Sequence, residues 1–354
     1  MRRTTPFEMQ PSPPVGYARP MFELLFLGNS YTFQNELDVV TADVLTAGVH
    51  PEATATRLAE GGYTWSLHRD QCETADSAWD EALVDPGHPW GWVILQEQSQ
   101  IPGFPHTEPD WTESADAGAA LNAYAAALGS ETVLLMTWGR RLGDETNPSL
   151  YPDFLTMQDA LTDGYLTYRD RFATEARPVW VAPAGLAFQA VYEAVAADGL
   201  TPEDDGTLFS ILYQEDGSHP APAGTWLTAW VIYATLTGES PIGLPLPSQI
   251  PAEDATRLQE IADEVVLGNA AGLVFPWSTD TGATDTGATD TDDPGTTDTD
   301  DTGTTDTSGT PGADSGTPKA DATACGCASG AGSAGWTAAW LGFAALARRR
   351  RARG

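Results

Sequence analysis

Basic residues are scarce in this chain: 17 Lys and Arg stand against 50 Asp and Glu over 354 residues, a formal charge of −33. Eleven Asp and one Lys fall within residues 278–324 and five Arg follow Ala347, which leaves about −28 on residues 1–277. A surface this anionic repels phosphate backbones, so nucleic acid is not an expected partner. Cysteine is scarce too. Cys72 stands alone, and Cys325 and Cys327 sit together near the end with no second ligand pair. No metal site is expected from that spacing, and Cys72 reads as a partly buried free thiol. Residues 1–20 lack any apolar run of 7–15 residues after Arg2 and Arg3, so they read as a disordered leader and not as a signal peptide. Only five His occur: His50, His68, His88, His106 and His219. That rarity narrows the search for a general base.

Residues 21–277 have mixed composition and length enough for one sizeable core. Short apolar runs predict strands over 23–27, 53–58, 92–95, 132–137 and 179–182. Helical patterns lie over 36–47, 77–84, 111–128, 152–176, 187–197, 221–237 and 252–268. Continuously apolar strands separated by helices indicate a parallel sheet covered on both faces. The expected fold class is α/β, a three-layer α/β/α sandwich with a five-stranded parallel sheet of flavodoxin-like type. Ligands then bind at the carboxyl ends of the strands. Residues 278–324 are almost only Thr, Asp, Gly, Ala, Ser and Pro, with repeats such as TDTGATDTGATDTDD. They cannot offset the entropy of ordering and read as an extended, disordered linker.

Two segments are candidates for chemistry, and each also has a plain reading, a helix N-cap turn at 28–32 and an Asp cap beside an exposed His at 216–219. Gly28-Asn29-Ser30-Tyr31-Thr32 follows the first strand and precedes a helix. A helix N-terminus there favours an alkoxide and a developing oxyanion. Asp216-Gly217-Ser218-His219-Pro220 precedes the helix at 221–237. Asp and His three residues apart on one turn can supply a base and the carboxylate that fixes its tautomer.

Together, F-L-G-N-S-Y-T and D-G-S-H-P-A-P-A-G resemble the first and last conserved blocks of the SGNH/GDSL hydrolases, over residues 21 to about 238. The resemblance implies an esterase or deacylase without metal or organic cofactor, in which Ser30 is the nucleophile, His219 the base and Asp216 the orienting acid. It also implies an oxyanion hole made by the Ser30 amide, the Gly62 amide in Gly61-Gly62-Tyr63-Thr64, and a side-chain amide. The family's Asn in the third block is absent from Leu95-Gln96-Glu97-Gln98-Ser99. Gln96 is the favoured substitute by its place at the strand end, with Gln98 in reserve by register. G-N-S-Y-T with L-Q-x-x-S resembles one poorly characterised branch of the superfamily. Aromatics gather near the predicted mouth, and Tyr31 and Trp138 are expected to line the site. Glu97 is expected to face solvent, since inward it would oppose an oxyanion. The expected substrate is a small-molecule or glycan ester. The other reading is a carbohydrate-binding or adhesion module on the same fold with weak turnover.

Residues 328–347 are about twenty small and apolar residues followed by Arg348–Arg351. That length matches a bilayer core, with the Arg cluster on the cytoplasmic side. The order of residues 325–354 (Cys pair, apolar run, Arg end) resembles the C-terminal sorting tails of myxobacterial surface proteins. The resemblance implies a membrane-anchored, cell-surface location and a sorting protease acting near Cys325. Export and the lack of an N-terminal apolar run pull in opposite directions.

Overall fold

The protein's structure is a computed structural model that describes residues 22–280, with 49, 51 and 86 excepted. The leader at 1–20, nearly all of the acidic linker, Cys325 and the apolar, Arg-ended tail lie outside the described residues. The described residues belong to the first of the chain's two units, Met1–Thr286.

Strands β1 (Glu23–Gly28), β2 (Thr54–Ala59), β3 (Trp92–Leu95), β4 (Glu131–Leu135) and β5 (Trp180–Ala182) form one sheet in the order β2-β1-β3-β4-β5. Every pair is parallel, with Leu27 level with Leu58 on one side and Leu95 on the other. The strand period of two sorts the side chains between two cores. Leu24, Phe26, Ile94, Val133 and Leu135 face one, packed on α2 (Leu37–Ala47), α7 (Ala184–Ala197), α8 (Pro222–Thr237) and α9 (Ala252–Asp263). Leu25, Leu27, Val93, Leu95 and Leu134 face the other. That core is closed by α3 (Trp65–Cys72), α4 (Ala78–Leu83), α5 (Pro109–Ala127) and α6 (Phe154–Phe172). A four-residue turn of helix, α1 (Ser30–Phe33), follows β1 directly. The expected α/β/α layering is present. Each fully buried Leu, Val or Phe contributes about 1.5–3 kcal/mol. Helix α8 is buried nearly all round because α2, α7 and α9 enclose it.

Four elements differ from expectation, the first being α1, since the helix after Ser30 was expected to start at residue 36. Helix α3 was not expected; Thr64 caps it by accepting the Leu67 amide at 3.3 Å. The helix predicted over 152–176 begins after the Asp153 cap and ends at Phe172. There a tight turn, closed by Thr174 N to Arg177 O at 2.8 Å, overrides the helix-forming residues 173–176. The pattern over 252–268 divides into α9 and a π-turn, Glu264–Gly268, stopped by left-handed Asn269. Cys72 is fully buried, not partly, and burial pushes its thiol up to about 12, which removes it as a nucleophile. Among the described residues no helix is long and apolar enough to cross a membrane.

Candidate active site

The turn after β1 is built by close approach. A Cβ at Gly28 would lie 2.2 Å from Thr32 Oγ1 and 2.7 Å from Gln96 Oε1, so only glycine fits. Asn29 caps α1 through its Oδ1, which accepts the Tyr31 amide at 3.1 Å, and its Nδ2 donates to the Tyr63 carbonyl at 2.9 Å. The second bond ties the Ser30 turn to the loop that carries Gly62. On the far side, His68 is wholly buried. Its Nδ1 accepts the Trp79 indole at 2.7 Å, so its Nε2 donates to the Gly28 carbonyl at 2.9 Å. Burial lowers the His68 pKa to about 4, which keeps the ring neutral and this tautomer fixed. Gly28→Ala is expected to destabilise the fold by about 1–3 kcal/mol through overpacking, read as a lowered urea midpoint with unchanged slope.

The segment before α8 folds back on itself. Gln214 N donates to His219 O and Gly217 N to Gln214 O, each at 2.9 Å. Gly217 has φ of 65°, which allows the tight reversal. Asp216 Oδ1 accepts the amides of Ser218 and His219, both at 2.9 Å, and Oδ2 lies 2.5 Å from His219 Nδ1. Burial alone would raise the Asp216 pKa, but the His219 bond and the two amides outweigh it and hold the carboxyl below its ordinary value. His219 Nε2 is 2.8 Å from Ser30 Oγ. With the proton held on Nδ1 by the carboxylate, Nε2 can accept the hydroxyl proton. The side chains of His219 and Asp216 are 30 % and 47 % exposed, so this array sits at an open rim.

Two segments hold the His219 loop, the first through Tyr31 and Asn35 and the one after β4 through Trp138 and Arg141. Tyr31 Oη lies 2.7 Å from Ser218 Oγ, Trp138 Nε1 donates to Ser218 O at 3.2 Å, and Arg141 N donates to Gly217 O at 2.8 Å. Asn35 Nδ2 donates to Pro220 O at 2.8 Å and Thr225 Oγ1 at 3.0 Å. Asn35 and the next residue, Glu36, both have left-handed backbones, with φ of 52° and 57°. Strain of this kind persists only where surrounding bonds enforce it.

The structure thus brings Ser30, His219 and Asp216 into one hydrogen-bonded array. Gly62 is exposed, one residue before the Tyr63 carbonyl that Asn29 holds. Gln96 departs from expectation. It is fully buried, its Oε1 accepts both Asn29 N and Thr32 Oγ1 at 2.9 Å, and its Nε2 donates to the Glu97 carbonyl. It braces the Ser30 turn and is not an exposed donor. Gln98 is half-buried; its Nε2 donates to Gln100 Oε1 at 2.9 Å, which leaves its second amide hydrogen available.

Tyr31 and Trp138 are 3 % and 1 % exposed. They stack at 5.0 Å, and Trp138 stacks on Phe188 at 4.3 Å. Both form the floor beneath the His219 loop, not an open lining as expected. Glu97 reverses its expectation outright, being wholly buried with its carboxylate bonded to Trp65 N, Gln98 N and Ser114 Oγ. Burial pushes its pKa up to about 7 from an ordinary 4.5, against those bonds. Between these values the folded state binds more protons than the unfolded one, so this group makes stability fall as pH rises from about 4.5 to 7. Denaturant melts at several pH values should show Glu97→Gln flattening that slope.

Asn35, His68 and Ser218 were missed by sequence reasoning. A helix start at Glu36 hinted at a special Asn35, whereas nothing in the spacing of His68 marks it. Among the described residues no group of three or more His, Cys, Asp or Glu is arranged to hold a metal ion.

Comparison with solved structures gives the fold. The chain shares its fold with a DUF4886 family protein from Bacteroides uniformis, at a TM-score of 0.51 and 15 % identity, over 71 % of this chain and 99 % of that one. It is also similar to a candidate SGNH hydrolase from Slackia heliotrinireducens, with 26 % identity, a TM-score of 0.46 and coverage of 61 % and 99 %. An acetylxylan esterase from Geobacillus stearothermophilus, in a catalytic-mutant form, is similar at 15 % identity and a TM-score of 0.41, over 61 % and 94 %. Two of these three neighbours are described as an SGNH hydrolase and an acetylxylan esterase. No family model and no curated protein matches the chain.

Proposed function

We propose that the protein is a serine esterase or deacylase. The observation that carries this reading is the 2.8 Å contact of Ser30 Oγ with an imidazole whose other nitrogen is held by Asp216. Ser30 Oγ attacks the ester carbonyl carbon while its proton passes to His219 Nε2. The resulting oxyanion accepts from the amides of Ser30 and Gly62 and from the free amide hydrogen of Gln98. Collapse breaks the ester C–O bond; His219 returns the proton to the leaving alcohol, and an acyl group remains on Ser30. Water, deprotonated by the same imidazole, then releases the acid. Gln98 takes the donor role here because it is half-buried, whereas Gln96 is wholly buried beneath the turn, its Oε1 accepting Asn29 N and Thr32 Oγ1 and its Nε2 turned to the Glu97 carbonyl.

An open rim suits an ester on a large or polymeric alcohol, so O-acyl groups on a glycan or another envelope ester are the proposed substrate class. The cell-surface location, the membrane anchor and processing near Cys325 belong to the same proposal and rest on the tail's sequence. Treating the full chain with a fluorophosphonate tests the reading. Mass spectrometry should find the adduct on the peptide that holds Ser30, and a folded wild type that stays unlabelled would sink the reading. One observation favours a second reading, a glycan-binding module with weak turnover: the expected donor Gln96 is spent on structure. Glycan binding without any labelling would decide for it.

A further inference from the structure

Charged side chains are almost never fully buried unless something holds them there. Glu97 has no exposure, lies one residue beyond the buried Gln96 and plays no part in the proton path from Ser30 to His219 and Asp216. Its partners come from three elements. Trp65 N, the first amide of α3, donates at 3.0 Å to Oε1 and 3.1 Å to Oε2. Gln98 N donates to Oε1 at 2.6 Å, and Ser114 Oγ of α5 donates to Oε2 at 2.5 Å. Tyr168 Oη of α6 donates in turn to Ser114 Oγ at 3.1 Å. The other ionisable groups felt around it are Glu113 and Tyr165, both of which work against its charge or have their own ionisation opposed by it.

Two of these partners belong to the segments that hold the candidate oxyanion donors. Trp65 follows Gly62 by three residues, through the Tyr63 carbonyl and the Thr64 cap. Gln98 is itself a candidate donor. Ionised, as it is above about pH 7, the Glu97 carboxylate has two acceptor oxygens and no hydrogen of its own, so it can take both amides and a hydroxyl together. The far side of α3 is seated as firmly. A Cβ on Gly118 of α5 would come within 2.6 Å of the Trp65 ring, so there is no slack through which the α3 start could drift.

We propose that Glu97 is the positioning residue of the oxyanion hole, a buried strut that fixes the distance between the Gly62 loop and the Gln98 loop. This inference rests on the serine-esterase reading and deepens it. Catalysis by such donors depends on their being aimed before the charge develops, so displacing both loops acts on the transition state more than on substrate binding.

The test is hydrolysis of p-nitrophenyl acetate by the full chain and its variants, with fluorophosphonate labelling alongside. Glu97→Ala leaves two buried amides unpaired and should lower kcat by about 10–100-fold with KM within about threefold, set against the about 10²–10³-fold loss typical of removing one donor outright. Glu97→Gln keeps Oε1 for both amides and turns the other end into a donor for Ser114 Oγ. It should restore kcat to within about threefold of wild type. A merely structural glutamate would lower the melting temperature of Glu97→Ala but leave the kcat of its folded fraction intact.

Near-ultraviolet circular dichroism establishes folding. Should Glu97→Ala fail to fold, Glu97→Asp decides, since a carboxylate one methylene shorter cannot reach both loops and should lower kcat at least about fivefold. A folded Glu97→Ala or Glu97→Asp with wild-type kcat overturns the inference. A wild type that neither labels nor hydrolyses overturns the esterase reading instead, so the two failures are distinguishable.

Discussion

Ser30→Ala should lower ester hydrolysis by roughly 10⁴-fold or more and abolish fluorophosphonate labelling, with the fold intact. The size follows from the loss of the covalent step. Without Oγ no acyl-enzyme forms, and what remains is the acceleration that donors and binding give to attack by water, about 10³–10⁴ over the uncatalysed rate in serine proteases. Stability should hardly change, because Ser30 Oγ makes its contact with a partly exposed imidazole and the turn is fixed by Asn29, Gln96 and His68. Stopped-flow or steady-state assays on p-nitrophenyl acetate, with matched circular dichroism, check both halves. Loss of activity below tenfold would mean that the serine is not the nucleophile.

Asp216→Asn is the second large effect, and its mechanism differs. The asparagine oxygen can still accept the Ser218 and His219 amides, so the turn survives. Its NH₂ group, however, would meet His219 Nδ1 where Oδ2 now lies 2.5 Å away. That favours the tautomer with the proton on Nε2, which cannot accept from Ser30 Oγ. In a serine protease the equivalent change costs about 10⁴ in kcat. A fall of about 10³–10⁴ is expected here, with KM nearly unchanged, because the wrong tautomer blocks proton transfer and leaves binding alone. The Asp216 carboxyl is held below its ordinary pKa, so its contribution to stability is present above that value and lost as the pH falls through the lowered one. Asp216→Asn should therefore lose part of the wild type's acid sensitivity in urea melts.

Four of the five strands were legible because runs such as Leu24-Leu25-Phe26-Leu27 have no polar face to offer water, and only a doubly covered strand satisfies them; β2, at the sheet edge, is half-exposed. Asp216 and His219 stood out because histidine is rare in this chain and the Asp-x-x-His spacing closes one turn; Ser30 was singled out by the resemblance of both segments to the SGNH/GDSL blocks. The segment at 96–98 was misread, and the reason is the strand's period of two. Val93 and Leu95 face the α3, α5 and α6 layer, and Glu97 continues that parity past the end of β3 into a pocket of donors. The expectation that Glu97 faces solvent weighed only its repulsion of an oxyanion and ignored parity. Gln96 has the opposite parity and turns under Ser30. His68 and Asn35 were hidden for another cause: their partners, Gly28 and Pro220, lie 40 and 185 residues away, beyond any local pattern.

Ser30 and His219 are separated by 189 positions, and Asn35 meets Thr225 across 190. At a ribosome adding about 5–20 residues per second, roughly 10–40 s pass between synthesis of the two halves of the array. The serine turn can be braced by β3 and α3 well before then, but its base arrives with nearly the last helices. On the esterase reading, a nascent or truncated chain that ends before His219 would therefore carry an unactivated serine, and hydrolytic competence would come as a late event in the life of each molecule.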